Sequence, residues 1–179
     1  ARPNSTPARW TIRPADGKMG GAQNQRARPG PPEELMQRSD FWFFFPFRVR
    51  YSEVDGQSVV FNAHYLTYYD TAITEYFREI GFDVVADAKA TGIDFHTVKS
   101  LVEYKAPLVF DQQIDVGVRV SRMGRSSVAF ELGVYGKDSD DLFATGEIVW
   151  VYTDQRTRKT VEVGAALREK LTFNPHAAH

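Results

Sequence analysis

The chain has no cysteine. That excludes disulfide scaffolds and thiol nucleophiles, and it accords with a reducing, cytoplasmic setting. Histidine is scarce, with four in 179 residues. No HExxH or Cys/His spacing occurs, so neither a metal centre nor a cofactor is expected. Neither sign of charge dominates: the net charge is −1, which gives no footprint for bulk nucleic-acid binding. Long apolar runs are also missing. The stretch from Phe41 to Phe47 is too short to span a bilayer and is interrupted by Pro46.

What is present suits one globular domain. The chain is 42% hydrophobic and 25% charged, ordinary values at a length that supports a core without staples. The first 40 residues differ from the rest. Pro3, Pro7, Pro14, Gly20, Gly21, Pro29, Gly30, Pro31 and Pro32 punctuate them, basic residues dominate, and apolar periodicity is absent. Such a segment buries too little surface to offset its ordering entropy. It reads as an irregular basic arm that Trp10 is placed to anchor. It shares its Arg-rich composition with transit peptides, but its Pro/Gly density disfavours an amphipathic helix. Residues 41–172 read as the domain and 173–179 as a tail.

Within the domain, Phe47, Val49 and Tyr51 alternate with Arg48 and Arg50. That pattern predicts a half-buried strand, with Pro46 placing it at an edge. A polar loop follows. A helix is then predicted over residues 63–80, because Tyr65, Tyr69, Ala72, Ile73, Tyr76 and Ile80 share one face. Asn62 is the expected N-cap and Gly81 the expected C′ residue. A short helix is expected around residues 84–90, then strands over 96–104, 114–120, 128–134 and 142–152. The last of these is apolar on both faces and so central. Turns rich in Gly, Ser and Asp join them as antiparallel hairpins, and residues 163–171 are read as a closing helix. A strand, a long buried helix and about four more antiparallel strands make an α+β fold, with a sheet curled around that helix.

Chemistry is expected at the loop-to-helix junction. The first amides of a helix lack intrahelical partners and carry partial positive charge. Such an end stabilises an anion or a polarised carbonyl. Asp55 stands a few residues upstream. Its alternative role is to cap a turn.

The run Asp55-Gly56-Gln57-Ser58-Val59-Val60-Phe61-Asn62-Ala63-His64-Tyr65 resembles the signature of hotdog-fold acyl-CoA thioesterases of the 4-hydroxybenzoyl-CoA thioesterase type. The stretch from Tyr104 to Asp111 and the turn Gly124-Arg125-Ser126-Ser127 are similar to later parts of that family, so the likeness covers about residues 47–159. Two positions depart from it. Ser58 stands where a glycine is usual, so a left-handed turn there would be strained, and Gly56 is expected to take that role. Asn62 and His64 stand in exchanged order.

The resemblance implies a hotdog fold: a curved antiparallel sheet of about five strands wrapped around one long helix. It also implies hydrolysis of an acyl-CoA or acyl carrier protein thioester. Asp55 would be nucleophile or general base, amides near Phe61 and Asn62 would form the oxyanion hole, and Asn62 and His64 would be catalytic neighbours. Ser58, Val60, Phe61, Tyr65 and Tyr69 would contact substrate, and Arg125, Ser126 and Ser127 would meet the coenzyme A arm. A homodimer or homotetramer is implied, with the site at a subunit boundary. Asp70 and Glu75 are alternative acids on the helix; Glu75, beside core residues, is the preferred of the two. A non-catalytic acyl-CoA binding module and a hotdog enoyl-CoA hydratase or dehydratase are the competing functions.

Overall fold

The computed structural model describes residues 36–172. The arm up to residue 35, with Trp10, and the 173–179 tail lie outside the described residues. Among the described residues no helix is long and apolar enough to cross a membrane.

Five strands form one antiparallel sheet: β1 (Phe43–Arg48), β2 (Ile93–Tyr104), β3 (Gln113–Met123), β4 (Ser127–Gly136) and β5 (Leu142–Asp154). Their spatial order is β1-β3-β4-β5-β2. The β3-β4 and β4-β5 pairs are the expected hairpins. The strand expected to be central, β5, is interior, between β4 and β2. The β2 strand returns to pair with β5, Ile93 opposite Asp154 and Tyr104 opposite Ala144. It thereby forms one open edge of the sheet.

Helix α1 (His64–Glu79) lies against this sheet. Tyr65, Tyr68, Tyr69, Ala72, Ile73, Tyr76 and Phe77 are buried, facing Ile114, Val116 and Val118 of β3, Phe130 and Leu132 of β4, and Ile148 and Trp150 of β5. Each large side chain buried there contributes roughly 1.5–3 kcal/mol. One backbone contact is especially close: a Cβ on Gly146 would stand 2.3 Å from the Tyr69 ring. The helix ends as the sequence predicts, with Gly81 left-handed at φ 69° and the Phe82 N–H returning to the Phe77 carbonyl at 2.9 Å. Helices α2 (Val84–Thr91) and α3 (Ala165–Thr172) close the ends.

Two local expectations need correction. The first strand stops at Arg48, and Tyr51–Glu53 forms a 3-10 turn. A period of three replaces the period of two, so Tyr51 is 82% exposed while Glu53 is 3% exposed. Asn62 is not the N-cap either. Ala63 precedes His64 with helical dihedrals, and no side chain caps the helix.

Candidate active site

The loop carrying Asp55 is a tight, braced turn. Val54 bridges Val60, the Asp55 N–H donates to the Val59 carbonyl at 2.9 Å, and the Ser58 N–H donates to the Asp55 carbonyl at 2.9 Å. The left-handed position is Ser58, with φ 63°. Gly56 does not take that role, because the turn closes across residues 55–58 and puts the strain on its last residue. Asp55 is half-buried. One carboxylate oxygen accepts the Gln57 N–H at 2.8 Å, and the other has no partner among the described residues. The turn-capping role and a free oxygen therefore coexist.

Glu53, two residues upstream, was not among the residues singled out from the sequence. One of its carboxylate oxygens accepts the Arg50 N–H at 2.8 Å and the Tyr68 hydroxyl at 2.7 Å. The other accepts the Arg50 Nε–H at 2.8 Å, with an Nη of the same guanidinium in ion-pair contact at 2.6 Å. Burial pushes this carboxyl up, but hydrogen bonds from the Arg50 backbone, the Tyr68 hydroxyl and the Arg50 guanidinium outweigh it, and the net position is below the ordinary value. Burial, then the bond to Glu53, raise the Tyr68 phenol. Glu53 thus ties the end of β1 to α1 beneath the Asp55 loop. The signal in the sequence was the Arg50/Glu53 spacing of three, which an alternating-strand reading hides.

The same residue corrects the expected oxyanion donors. The Phe61 N–H donates to the Glu53 carbonyl at 2.9 Å, and the buried Val60 donates to the Leu108 carbonyl at 2.9 Å. Both amides are occupied. The next two, on Asn62 and Ala63, have no acceptor among the described residues. The Asn62 carbonyl accepts the Tyr104 hydroxyl at 3.2 Å, which ties the helix entrance to β2. The Asn62 side chain is exposed and makes no hydrogen bond among the described residues. His64 is half-buried, edge-on to the exposed Phe61 ring at 6.1 Å, and is not hydrogen-bonded to Asp55. Tyr65 is buried against Tyr104 with ring centroids 5.0 Å apart, and burial pushes its phenol up to about 12. Tyr69 is fully buried, its hydroxyl without a partner.

Asp55, Ser58, Val60, Phe61, Asn62, His64 and Tyr65 therefore share one end of the molecule. Arg125, Ser126 and Ser127 do not join them. They follow Met123 at the end of β3 opposite Gln113, which pairs with Arg48 near the Asp55 loop. Ten residues of strand separate those ends by about 33 Å. That turn is held to the α3 end instead: Arg168 donates to the Arg125 carbonyl at 2.8 Å, and the Val163 N–H reaches the same oxygen at 2.9 Å.

The two helical acids also separate. Glu75 is ion-paired with Arg78 on the helix surface. Asp70 instead lines an open surface groove of about 140 Å³ with Leu66, Thr97, Ser100, Ile148 and Trp150. Glu75 is the more buried of the two but is ion-paired, whereas Asp70 is exposed. No group of three or more His, Asp or Glu among the described residues is placed to hold a metal ion.

A five-stranded antiparallel sheet curved around one long aromatic helix, with an acid-bearing turn at the helix entrance, is the hotdog fold of thioester hydrolases. The thioesterase-like superfamily model matches residues 49–171; the chain belongs to that family. Among curated relatives, the Escherichia coli acyl-CoA thioester hydrolase YbgC is 30% identical over 112 residues, covering 63% of this chain and 82% of YbgC. A putative esterase of Aquifex aeolicus is 27% identical over 96 residues, covering 54% of this chain and 74% of that protein. Among solved structures, the PA5185 protein of Pseudomonas aeruginosa superposes with a TM-score of 0.68 at 31% identity, covering 75% of this chain and 92% of that one. A Synechocystis 1,4-dihydroxy-2-naphthoyl-CoA thioesterase shares the fold, with a TM-score of 0.68 at 14% identity over 72% of this chain and 94% of its own.

Proposed function

We propose that this chain hydrolyses acyl-CoA thioesters, with Asp55 supplying the carboxylate and the Asn62 and Ala63 amides binding the carbonyl oxygen. What supports this reading is that, among the described residues, one Asp55 carboxylate oxygen and the Asn62 and Ala63 amides are unengaged on the same braced segment that leads into α1. The amides polarise the thioester C=O and favour the oxyanion that forms on attack. Asp55 acts as general base for water or attacks directly as nucleophile. As general base, Asp55 leaves water's oxygen on the acyl carbon. As nucleophile it forms a mixed anhydride; water attacking the aspartyl carbonyl then leaves its oxygen on Asp55, while an aspartyl oxygen departs with the acid. In both routes the C–S bond breaks and the proton ends on sulfur. Running the reaction once in ¹⁸O water and looking for label in Asp55 separates the two routes. The arrangement does not favour a hydratase, whose acid and His act together; here His64 makes no bond to Asp55.

We assign the assembly to a dimer through β2. Of the two sheet edges, β1 carries Pro46, whereas β2 presents a long open edge with Val98 61%, Leu101 44% and Tyr104 50% exposed. Two-fold antiparallel pairing of β2 exchanges the ends of the sheet. It would bring the partner's Arg125–Ser127 turn toward the Asp55 end, where the coenzyme A arm emerges. Leu101→Lys should yield monomers by light scattering and lose most turnover; an unchanged dimer places the interface elsewhere.

Asp55→Asn is the test of function. Acyl-CoA should still bind while turnover falls by about 10²–10⁴. Retained turnover moves the acid elsewhere, and an absence of hydrolysis by the unmodified protein across aromatic, short and long acyl-CoAs favours a binding module.

A further inference from the structure

We propose that Glu53 is a positioning residue of the site, one that sets the distance between the Asp55 carboxylate and the Asn62 and Ala63 amides. This rests on the thioesterase reading and adds a residue to its machinery. Glu53 grips the segment through both its side chain and its backbone. Its carboxylate accepts the Arg50 N–H at 2.8 Å and, from α1, the Tyr68 hydroxyl at 2.7 Å. Its backbone carbonyl accepts the Phe61 N–H at 2.9 Å. Phe61 immediately precedes the two open amides on one limb of the small hairpin, and Asp55 lies two residues past Glu53 on the other. The Glu53–Phe61 bond is therefore the rung that joins the acid-bearing limb to the amide-bearing one. The bond to Tyr68, about 7.5 Å along the helix axis from Ala63, fixes that rung against α1.

This placement bears on rate as well as on fold. Donors stabilise an oxyanion only within hydrogen-bond reach of where it forms, and a misplacement of about 1 Å costs on the order of 10²-fold. The Val60 N–H ties the hairpin to the Leu108 carbonyl; Glu53 and Tyr68 supply the side-chain hydrogen bond that ties it to α1. A glutamine in place of Glu53 has one acceptor oxygen and an NH2 group. It cannot accept from Arg50 and Tyr68 at two oxygens, so one grip is lost and the hairpin is free to tilt. Asp115 offers a contrast. It is also buried and ion-paired, with Arg38 at 2.6 Å. But it alternates with Ile114 and Val116 of the core, so it lies on the sheet face away from α1.

The test compares Glu53→Gln, Tyr68→Phe and Asp115→Asn with the unmodified protein, each well below its own unfolding midpoint. The substrate is the best hydrolysed of benzoyl-, hexanoyl- and palmitoyl-CoA. In Glu53→Gln kcat should fall by about ten- to a hundredfold, with KM changed by less than about threefold. Tyr68→Phe should show a smaller loss of the same kind, and it carries the test should Glu53→Gln fail to fold. Asp115→Asn should lose stability but keep its kcat. A second readout is the thioester C=O stretch of the same substrate bound to Asp55→Asn, measured by difference infrared spectroscopy. Adding Glu53→Gln or Tyr68→Phe should move that band back toward its free-solution frequency, because the amides no longer polarise the carbonyl. An unchanged kcat, a loss in KM alone, a band that stays in place, or an equal fall in Asp115→Asn overturns the proposal and leaves the thioesterase reading standing. No hydrolysis of any of the three thioesters by the unmodified protein overturns both.

Discussion

Glu53 and Asp55 stand two residues apart on one loop, in opposite environments. Glu53 is buried, and three donors from Arg50 and Tyr68, with the Arg50 guanidinium in ion-pair contact, engage both its oxygens. Asp55 is half-buried and receives one backbone N–H, leaving an oxygen free. A carboxylate with both oxygens bonded and ion-paired holds structure; one held by a single bond is oriented and still available to react. The lesson is that distance along the chain says little about role, whereas the count of donors says much.

Substitutions sharpen or break this contrast. The largest effect should be on rate. Asp55→Asn should cost the orders of magnitude given above while moving the unfolding midpoint little. Loss of stability with retained rate would reverse the assignment. Glu53→Gln should do the opposite first, destabilising by about 2–3 kcal/mol because a buried donor or acceptor is left unmatched; denaturant titration measures it. Tyr68→Phe should cost somewhat less, about 1.5–2 kcal/mol, since it removes one bond to a charged group.

The pH dependence follows from the lowered Glu53 carboxyl. Its folded value lies below its unfolded one, so ionised Glu53 stabilises the fold. That contribution is complete above the ordinary Glu range and is lost as pH falls through the folded value. The gap in stability between the unmodified protein and Glu53→Gln should therefore be full at neutral pH and shrink below about pH 4. A gap independent of pH would mean that charge plays no part there. The smallest effect belongs to the turn itself. Ser58→Gly relieves a left-handed residue but adds freedom to the unfolded chain, so a net gain of about 0.5–1 kcal/mol is expected.

Much of this was legible in the sequence, where the relevant contacts are local. The one-sided pattern of Tyr65, Tyr69, Ala72, Ile73 and Tyr76 named the buried face of α1, and Gly81 named its end. Alternation located β3 and β4. Contacts between distant segments were not legible. Nothing local says that β2 pairs with β5, or that Asp70 shares a surface groove with Thr97 and Trp150. The 3-10 turn at Tyr51–Glu53 breaks the strand period and turns outward Tyr51, the residue that alternation places inside. The Phe61 amide was misassigned for a related reason: its acceptor is a carbonyl eight residues away, across the loop.

The most direct test of the central claim is a crystal structure of Asp55→Asn with an acyl-CoA bound. The thioester oxygen should accept a hydrogen bond from the Asn62 or Ala63 N–H, with the residue-55 side chain facing the same carbonyl carbon. A thioester bound away from those amides, with residue 55 out of reach of its carbonyl, would contradict the account.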